Sequence, residues 1–365
     1  CQHPQLAFSV AQRHLTARAY LIATGSVPVT SLFATSSEEK TYLTLPDIWQ
    51  QDNLESLPNK LLILGSNPAS VELAQSFSRL SKKVILVIEE QRLLPYEDQE
   101  ISFLLQAQLE AEGIEIFTQS PAVQFKCIDN QKWLQAGNYA LEADEIIVTS
   151  RHVPNVANLN LEEIGVRCSK RGIRVNRKLQ TTNPRIYACG DVLGGYSLKN
   201  IDCYEASLAM RNALFWPRYK VNYYQQPWVI FTEPNLARVG LTEAQARQHH
   251  GAKLIVVKEH IKNLFQAQIS GETTGFCKLI VSPTEHLLGA HLIAPDAAEL
   301  IGSFALAIQN KLKLTAIANL FNPSPTWSEI VNRTAQKWQQ QKSSNAKIRS
   351  DYREKFLAIT REWFF

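Results

Sequence analysis

The chain has 365 residues, of which 45% are apolar and 20% charged, enough to bury a sizeable core; at roughly 100–200 residues per domain, two or three units are expected. Its 38 basic and 34 acidic residues leave a formal charge of +4 and are scattered along the chain, so it carries no nucleic-acid footprint. Apolar runs such as Leu61–Leu64 and Val84–Ile88 are strand-sized, well short of the roughly 18 residues of a membrane helix, and a soluble protein without a membrane span is expected.

The six cysteines include no CxxC, no CxxxxC and no nearby paired histidines. That usage fits a reducing, cytoplasmic setting and excludes a sequence-local metal or dithiol site. Met210 is the single methionine, so Cys1 is not expected to be a translation start and the chain is expected to be a fragment or a processed product.

Residues 1–30 read as the end of a unit, with a strand pattern around Leu6–Val10 and an apolar run Tyr20–Ala23 that stops at Thr24-Gly25-Ser26. After the polar stretch Asp52–Asn59 the period predicts a strand (Lys60–Leu64), a helix (Pro68–Leu80) and a second strand (Val84–Ile88), which is the start of a βαβ unit. In that helix Ala69, Leu73, Ala74, Phe77 and Leu80 share a face, and Glu72, Gln75 and Arg79 look elsewhere. A helix over Gln99–Glu112 follows, then strands near Ile114–Phe117, Ala122–Cys127 and Glu145–Thr149. Beyond residue 150 the reading gives an extended piece at Gly172–Asn176, the segment Arg185–Asp191 and a helix from about Asp202 to Phe215. Pro217 and Pro227 bracket a linker. From Val229 to about Trp338 the strands Leu254–Lys258, Phe276–Ser282 and Leu287–Ile293 alternate with helices Thr242–His249 and Asp296–Lys311, an α+β pattern with an antiparallel sheet. Residues 339–365 read as an appended, polar and then amphipathic helical tail.

Three places could carry chemistry. The first is the strand-helix turn Gly65-Ser66-Asn67-Pro68-Ala69-Ser70, where a dinucleotide pyrophosphate would rest on free N–H groups at a helix start. The fingerprint asks for glycine where Asn67 and Ser70 stand; Asn tolerates a left-handed backbone and Ser is small, which leaves a feasible but tighter turn. Alone, such a turn is also ordinary loop chemistry. Glu89, at the end of the second strand, adds weight because a carboxylate there accepts both hydrogen bonds from an adenosine ribose and repels a 2′-phosphate. Glu90 adds to that repulsion and Arg92 opposes it.

The second is Tyr187-Ala-Cys-Gly190-Asp191, where an aspartate at a strand end can accept a hydrogen bond from a sugar or ribityl hydroxyl. A plain Gly-Asp turn is the competing reading, and Cys189 reads as a small buried hydrophobe. The third, Asn322–Glu329, is a Pro-rich loop that by its residues is a capped helix start, with Thr326 or Ser328 as cap and Glu329 in the first turn. The eight histidines default to surface or core roles.

Together and in this order, these segments resemble the FAD-dependent pyridine nucleotide-disulfide oxidoreductases, with Ile22-Ala-Thr-Gly25-Ser26 and Pro28, Gly65–Ala74, Arg151 with Pro154-Asn155, and Thr182–Asp191. Phe231-Thr-Glu-Pro234, Val239–Ala244 and Pro325-Thr326 with Ser328-Glu329 complete the likeness. It covers the chain to about residue 338, and Glu72-Leu-Ala-Gln75 after Gly65 is nearest the mercuric reductase branch.

The resemblance implies a fold of α/β plus α+β type: a Rossmann-like NAD(P)-binding domain (31–150) inserted in an incomplete FAD-binding domain (1–30 and 151–225), then an α+β dimerisation domain (226–338) and the tail. It also implies FAD and NAD as cofactors, with NADP less favoured, and a homodimer. Thr24, Gly25, Gly190 and Asp191 would serve FAD; Gly65, Asn67, Glu72 and Glu89 would serve the nicotinamide dinucleotide; Arg151 would be a further cofactor-binding residue. The helix from about Asp202 would aim its N-terminus at the flavin.

Departures matter as well. Ser324 stands where the disulfide reductases carry a histidine before Pro-Thr, while Glu329 remains. A serine hydroxyl takes no proton near pH 7, so that acid–base step is expected to be lost. The segment before Cys1 is expected, by resemblance, to hold the first FAD turn and the CxxxxC dithiol, so the chain alone is expected to be inactive and to bind FAD poorly. The expected function is a flavoprotein oxidoreductase passing hydride from NAD(P)H to FAD and on to a disulfide, metal-ion or other acceptor. The alternative is a non-catalytic dimeric nucleotide-binding scaffold.

Overall fold

The computed structural model describes residues 7–10, 13–28, 42–50, 54–129, 131–149, 152–195 and 198–345; Arg151 and the tail beyond Asn345 lie outside the described residues. The chain forms two compact units, one of Cys1–Leu93 with Leu109–Tyr223, the other of Leu94–Gln108 with Tyr224–Phe365.

The first unit begins with a hairpin of β1 (Ala7–Val10) and β2 (Arg13–Thr16), then β3 (Tyr20–Ile22) and β4 (Ser26–Pro28). After β5 (Leu43–Thr44) and the short α1 (Leu45–Trp49) come β6 (Lys60–Leu64), α2 (Pro68–Arg79) and β7 (Lys83–Val87). Helix α3 (Gln99–Ala111), most of which belongs to the second unit, leads to β8 (Glu115–Phe117) of the first. The antiparallel strands β9 (Ala122–Ile128), β10 (Gln131–Ala136) and β11 (Tyr139–Ala143) follow, and β12 (Glu145–Val148) returns to the main sheet.

That main sheet is fully parallel in the order β5-β12-β6-β7-β8. From β6 the chain progresses to β7 and β8 on one side and comes back at β12 on the other, so the sheet has its topological switch point between the carboxyl ends of β6 and β12. Open parallel sheets bind ligands at such a point. Strands buried on both faces need continuous apolar runs, as β6 and β7 have. On one face Leu62, Leu64, Ile85, Val87, Ile146 and Val148 pack with Phe125, Leu134 and Ala136 of the antiparallel sheet.

Helix α2 starts where the sequence places it, because the Asn67 side chain accepts from the Ser70 amide and Pro68 occupies the first turn. Its apolar side Val71, Ala74 and Phe77 is buried. Gln75, expected to look elsewhere, is buried too, and its amide nitrogen donates to the Glu112 carboxylate at 2.9 Å. Strands β10 and β11 were not expected. The two-residue connection Gly137-Asn138 between the paired residues Ala136 and Tyr139 is the hairpin signal that gives them away, with Gly137 at φ 54°.

The rest of this unit holds β13 (His152–Pro154), β14 (Cys168–Ser169), β15 (Gly172–Ile173), β16 (Ile186–Ala188) and α4 (Lys199–Leu214). β16 pairs in parallel with β3, and β13 runs antiparallel to β4. Alternation splits the faces of β16: Ile186 and Ala188 join Tyr20 and Ile22 in one cluster, Tyr187 and Cys189 join Leu208 and Ala209 of α4 in another. The expected extended piece Gly172–Asn176 shortens to β15, and α4 begins at Lys199, earlier than expected.

The second unit is an antiparallel sheet of β17 (Trp228–Ile230), β18 (Asn235–Gly240), β19 (Ile255–His260), β20 (Phe276–Val281) and β21 (Leu287–Ala294), ordered β17-β18-β21-β20-β19. Its helices are α5 (Glu243–His250), capped by Thr242 and Gln245, α6 (Phe265–Ser270), α7 (Ala297–Gln309), α8 (Leu314–Ala318) and α9 (Glu329–Asn345). Ile301, Phe304, Ile317, Ile330 and Trp338 seal the sheet's core. Helix α9 runs through residue 338 to Asn345, so the start of the expected tail continues this helix.

The segment Leu94–Gln108, expected within the 31–150 domain, belongs to this second unit. Buried ion pairs hold it there: Asp98 receives Lys278 at 3.0 Å, and Glu97 receives Arg238 at 3.0 Å. Lys278 also meets Glu243 at 2.6 Å. Among the described residues no helix is long and apolar enough to cross a membrane.

Candidate functional site

A cleft of about 210 Å³ in the first unit is lined by Ser26, Asn67, Pro68, Ala69, His152 and Asp191, among others. It joins the start of α2 to the turn after β16, so two of the three sequence candidates meet in one place.

On the α2 side, Gly65 has φ 148° and its amide donates to Val87 O at 3.0 Å, which sets the turn at the end of β7, two residues before Glu89. A left-handed Asn67 was allowed for; the residue is extended, with φ −81° and ψ 166°. Capping explains this. Its Oδ1 accepts the Ser70 amide at 2.9 Å, and its Nδ2 donates to Thr149 O at 2.7 Å, spanning the β6–β12 switch point. One amide that a pyrophosphate would use is therefore already satisfied by Asn67. Glu72 lies half-buried one turn into α2, and Glu89 is exposed at the mouth of the turn.

On the other side, Thr24 Oγ1 donates to Asn155 O at 2.6 Å and the Asn155 amide to Gly25 O at 2.9 Å. Gly25 has φ 72°, a conformation that favours glycine. Asp191 Oδ2 accepts from Ser26 Oγ at 3.1 Å, while Oδ1 is buried and has no hydrogen-bond partner among the described residues. Buried polar atoms are rarely left in that state.

Three carboxylates gather here. Gly190, at φ 77°, donates its amide to Glu205 Oε2 at 2.7 Å, and Tyr223 donates its hydroxyl to Glu205 Oε1 at 2.6 Å. Burial, then the charges of Asp191 and Glu205, push Asp202 up to about 6. Burial likewise raises Glu205 and pushes the Cys189 thiol up to about 11, so Cys189 stays protonated and unreactive, as expected. Asp202 sits in the first turn of α4. The anion-attracting helix start inferred from the sequence thus carries a carboxylate of its own.

Ser324 and Glu329 belong to the second unit. Ser324 is exposed. Glu329 is buried, pairs with Arg333 at 2.9 Å and accepts the Thr326 amide at 3.4 Å, while Thr326 Oγ1 turns to Pro323 O. These are the bonds of a helix start. Among the described residues no group of three or more His, Cys, Asp or Glu side chains is arranged to hold a metal ion. Sequence reasoning missed Asp202, Glu205 and Tyr223, which have no local motif; the only signal was three acids within or just before one helix.

A family profile described as pyridine nucleotide-disulphide oxidoreductase matches residues 4–210. The chain belongs to the pyridine nucleotide-disulphide oxidoreductase family. The profile for that family's dimerisation domain matches residues 226–335. A mercuric reductase from Staphylococcus aureus is 32% identical over 324 residues, covering 87% of this chain and 58% of the relative. A dihydrolipoyl dehydrogenase from Bacillus subtilis (strain 168) is 31% identical over 315 residues, covering 86% of this chain and 68% of the relative. Among solved structures, the HOCl-induced flavoprotein disulfide reductase RclA from Escherichia coli has a TM-score of 0.78 at 25% identity, over 89% of this chain and 74% of that one. LpdA from Mycobacterium tuberculosis has the same fold, with a TM-score of 0.82 at 24% identity over 91% of this chain and 72% of that one.

Membership in the pyridine nucleotide-disulphide oxidoreductase family implies FAD and a nicotinamide dinucleotide. The residues present fit the flavin: Asp191 lines the cleft, its buried Oδ1 has no hydrogen-bond partner among the described residues, and a ribityl chain would supply a hydroxyl donor.

Proposed function

We propose that the chain is part of a flavoprotein oxidoreductase that takes hydride from NADH and passes electrons to a disulfide, metal-ion or other acceptor, in the manner of a mercuric reductase. The observation that carries this reading is that the α2 start and Asp191 line the same cleft. FAD, when bound, supplies the hydride-accepting and electron-relaying chemistry.

Each residue then has a defined task. Asp191 Oδ1 holds a ribityl hydroxyl, and Thr24, Gly25 and Gly190 line its approach. The turn at Gly65 and Asn67 holds the dinucleotide pyrophosphate, with Glu72 toward the nicotinamide end. Glu89 accepts the ribose hydroxyls and repels a 2′-phosphate, which favours NADH over NADPH. Arg151 is assigned to cofactor binding by resemblance alone. In the second unit, Glu329 and Ser324 occupy the acid–base position, and without an imidazole there proton transfer to a thiolate leaving group is slow. The exposed Phe231, Phe265, Leu306 and Phe321 of that unit support a homodimer. A scaffold without redox chemistry gains no support, since the relatives named above are enzymes.

The test is the full-length protein. It should purify with bound flavin and oxidise NADH faster than NADPH with a disulfide, mercuric ion or quinone as acceptor. Colourless protein that oxidises neither nucleotide would refute the proposal.

A further inference from the structure

We propose that Glu205 and Tyr223 are positioning residues that fix the Cys189–Gly190 peptide just before Asp191, and with it the Asp191 carboxylate that would hold a ribityl hydroxyl of the flavin. The inference rests on the flavoprotein reading above and extends it to residues outside the family motifs quoted for this chain.

Among the described residues the Asp191 carboxylate accepts from one side chain, Ser26 Oγ at 3.1 Å. What sets its remaining freedom is the peptide plane between Cys189 and Gly190, which a left-handed glycine at φ 77° leaves easy to rotate. The Glu205 carboxylate stops that rotation by accepting the Gly190 amide at 2.7 Å. The carboxylate is in turn held by the Tyr223 hydroxyl at 2.6 Å. Tyr223 is placed by bonds back to α4: the Asn222 amide donates to Tyr204 Oη at 2.9 Å, and the Tyr219 amide to Asn212 Oδ1 at 3.0 Å.

Two donors converge on the Glu205 carboxylate, which accepts both; an amide can keep the Gly190 bond through its carbonyl oxygen only if its NH2 group faces Tyr223 Oη, which must then turn to accept. Burial and the nearby charge of Asp191 both oppose an ionised Glu205. A neutral side chain would carry neither penalty, so core packing alone gives no reason for an acid here. Holding the turn does.

The experiment measures, in the full-length protein, binding of FAD and of FAD analogues that each lack one ribityl hydroxyl, followed by flavin fluorescence. Wild type should lose about 10- to 100-fold in affinity when the hydroxyl bound by Asp191 is removed, the range for a hydrogen bond to a charged group. Glu205→Leu should abolish that discrimination while FAD binding through its other parts persists. Tyr223→Phe should reduce it partly, and it decides the matter if Glu205→Leu does not fold. Glu205→Gln should restore most of it, because its carbonyl oxygen still accepts the Gly190 amide. Unchanged discrimination in Glu205→Leu or Tyr223→Phe overturns the inference, as does Glu205→Gln behaving like Glu205→Leu. Wild-type protein that binds no flavin overturns the flavoprotein reading itself, and this inference with it.

Discussion

Each unit gathers a group of partly or fully buried charges, and the two groups are built on opposite principles. In the second unit, Glu97, Asp98 and Glu243 face Arg238 and Lys278, so every buried cation has an acid and the cluster ties residues 94–108 to the sheet. In the first unit, Asp202 and Glu205 lie close to Asp191: burial and then neighbouring carboxylate charge raise Asp202, burial and the Asp191 charge raise Glu205, and one Asp191 oxygen has no partner among the described residues. Compensated charge is structural. Uncompensated charge at a cleft marks a place where something else binds.

The largest effect should come from unbalancing the compensated cluster. Lys278→Met strands Asp98 beside Glu243 and should cost about 3–5 kcal/mol of unfolding free energy, measured by urea denaturation; a loss under about 1 kcal/mol would show that the cluster is not a clamp. Removing charge from the other cluster should do the reverse. Asp191→Ala should leave stability equal or higher while weakening flavin binding about 10- to 100-fold, read by fluorescence titration.

The pH responses should also diverge. Burial, followed by the Arg238 charge, lowers His291 to about 4 from the ordinary 6.5. Its unfolded form binds the extra proton, so the second unit loses stability as pH falls from 6.5 toward 4. Asp202 is raised from 3.8 to about 6, so the folded form holds the extra proton and stability falls as pH rises through that window. Asp202→Asn should therefore raise the melting temperature by roughly 2–4 °C at pH 7 and leave it unchanged near pH 4. A gain that is equal at both pH values would contradict the assignment. The smallest effect is at the α2 cap: Asn67→Gly should cost only a few tenths of a kcal/mol, since glycine caps nearly as well, yet lower the KM for NADH by leaving the Ser70 amide with only its longer bond to the residue 67 carbonyl at 3.2 Å. An unchanged KM would place the pyrophosphate elsewhere.

Much of this was legible in the sequence wherever local physics governs. The apolar runs of β6 and β7 and the Asn-Pro start of α2 lie within a residue of their expected places, and Asn67 and Asp191 line the same cleft. Long-range partners were not legible. Nothing near Gln75 announces Glu112, and nothing near Gly190 announces Glu205 or Tyr223, because those pairings depend on which elements the topology brings together. Asn67 shows a subtler limit: its tolerance of a left-handed backbone is real, but a side chain that can cap a helix start gains more from the extended form.

The central claim is that Asp191 faces a flavin in a redox-active site. The most direct measurement is an anaerobic NADH titration of full-length wild type beside Asp191→Ala, followed by the visible flavin absorbance. Wild type should carry flavin that NADH bleaches stoichiometrically, and Asp191→Ala should fold normally but emerge largely flavin-free. Wild-type flavin that NADH leaves unbleached, or full flavin occupancy in Asp191→Ala, would contradict the account.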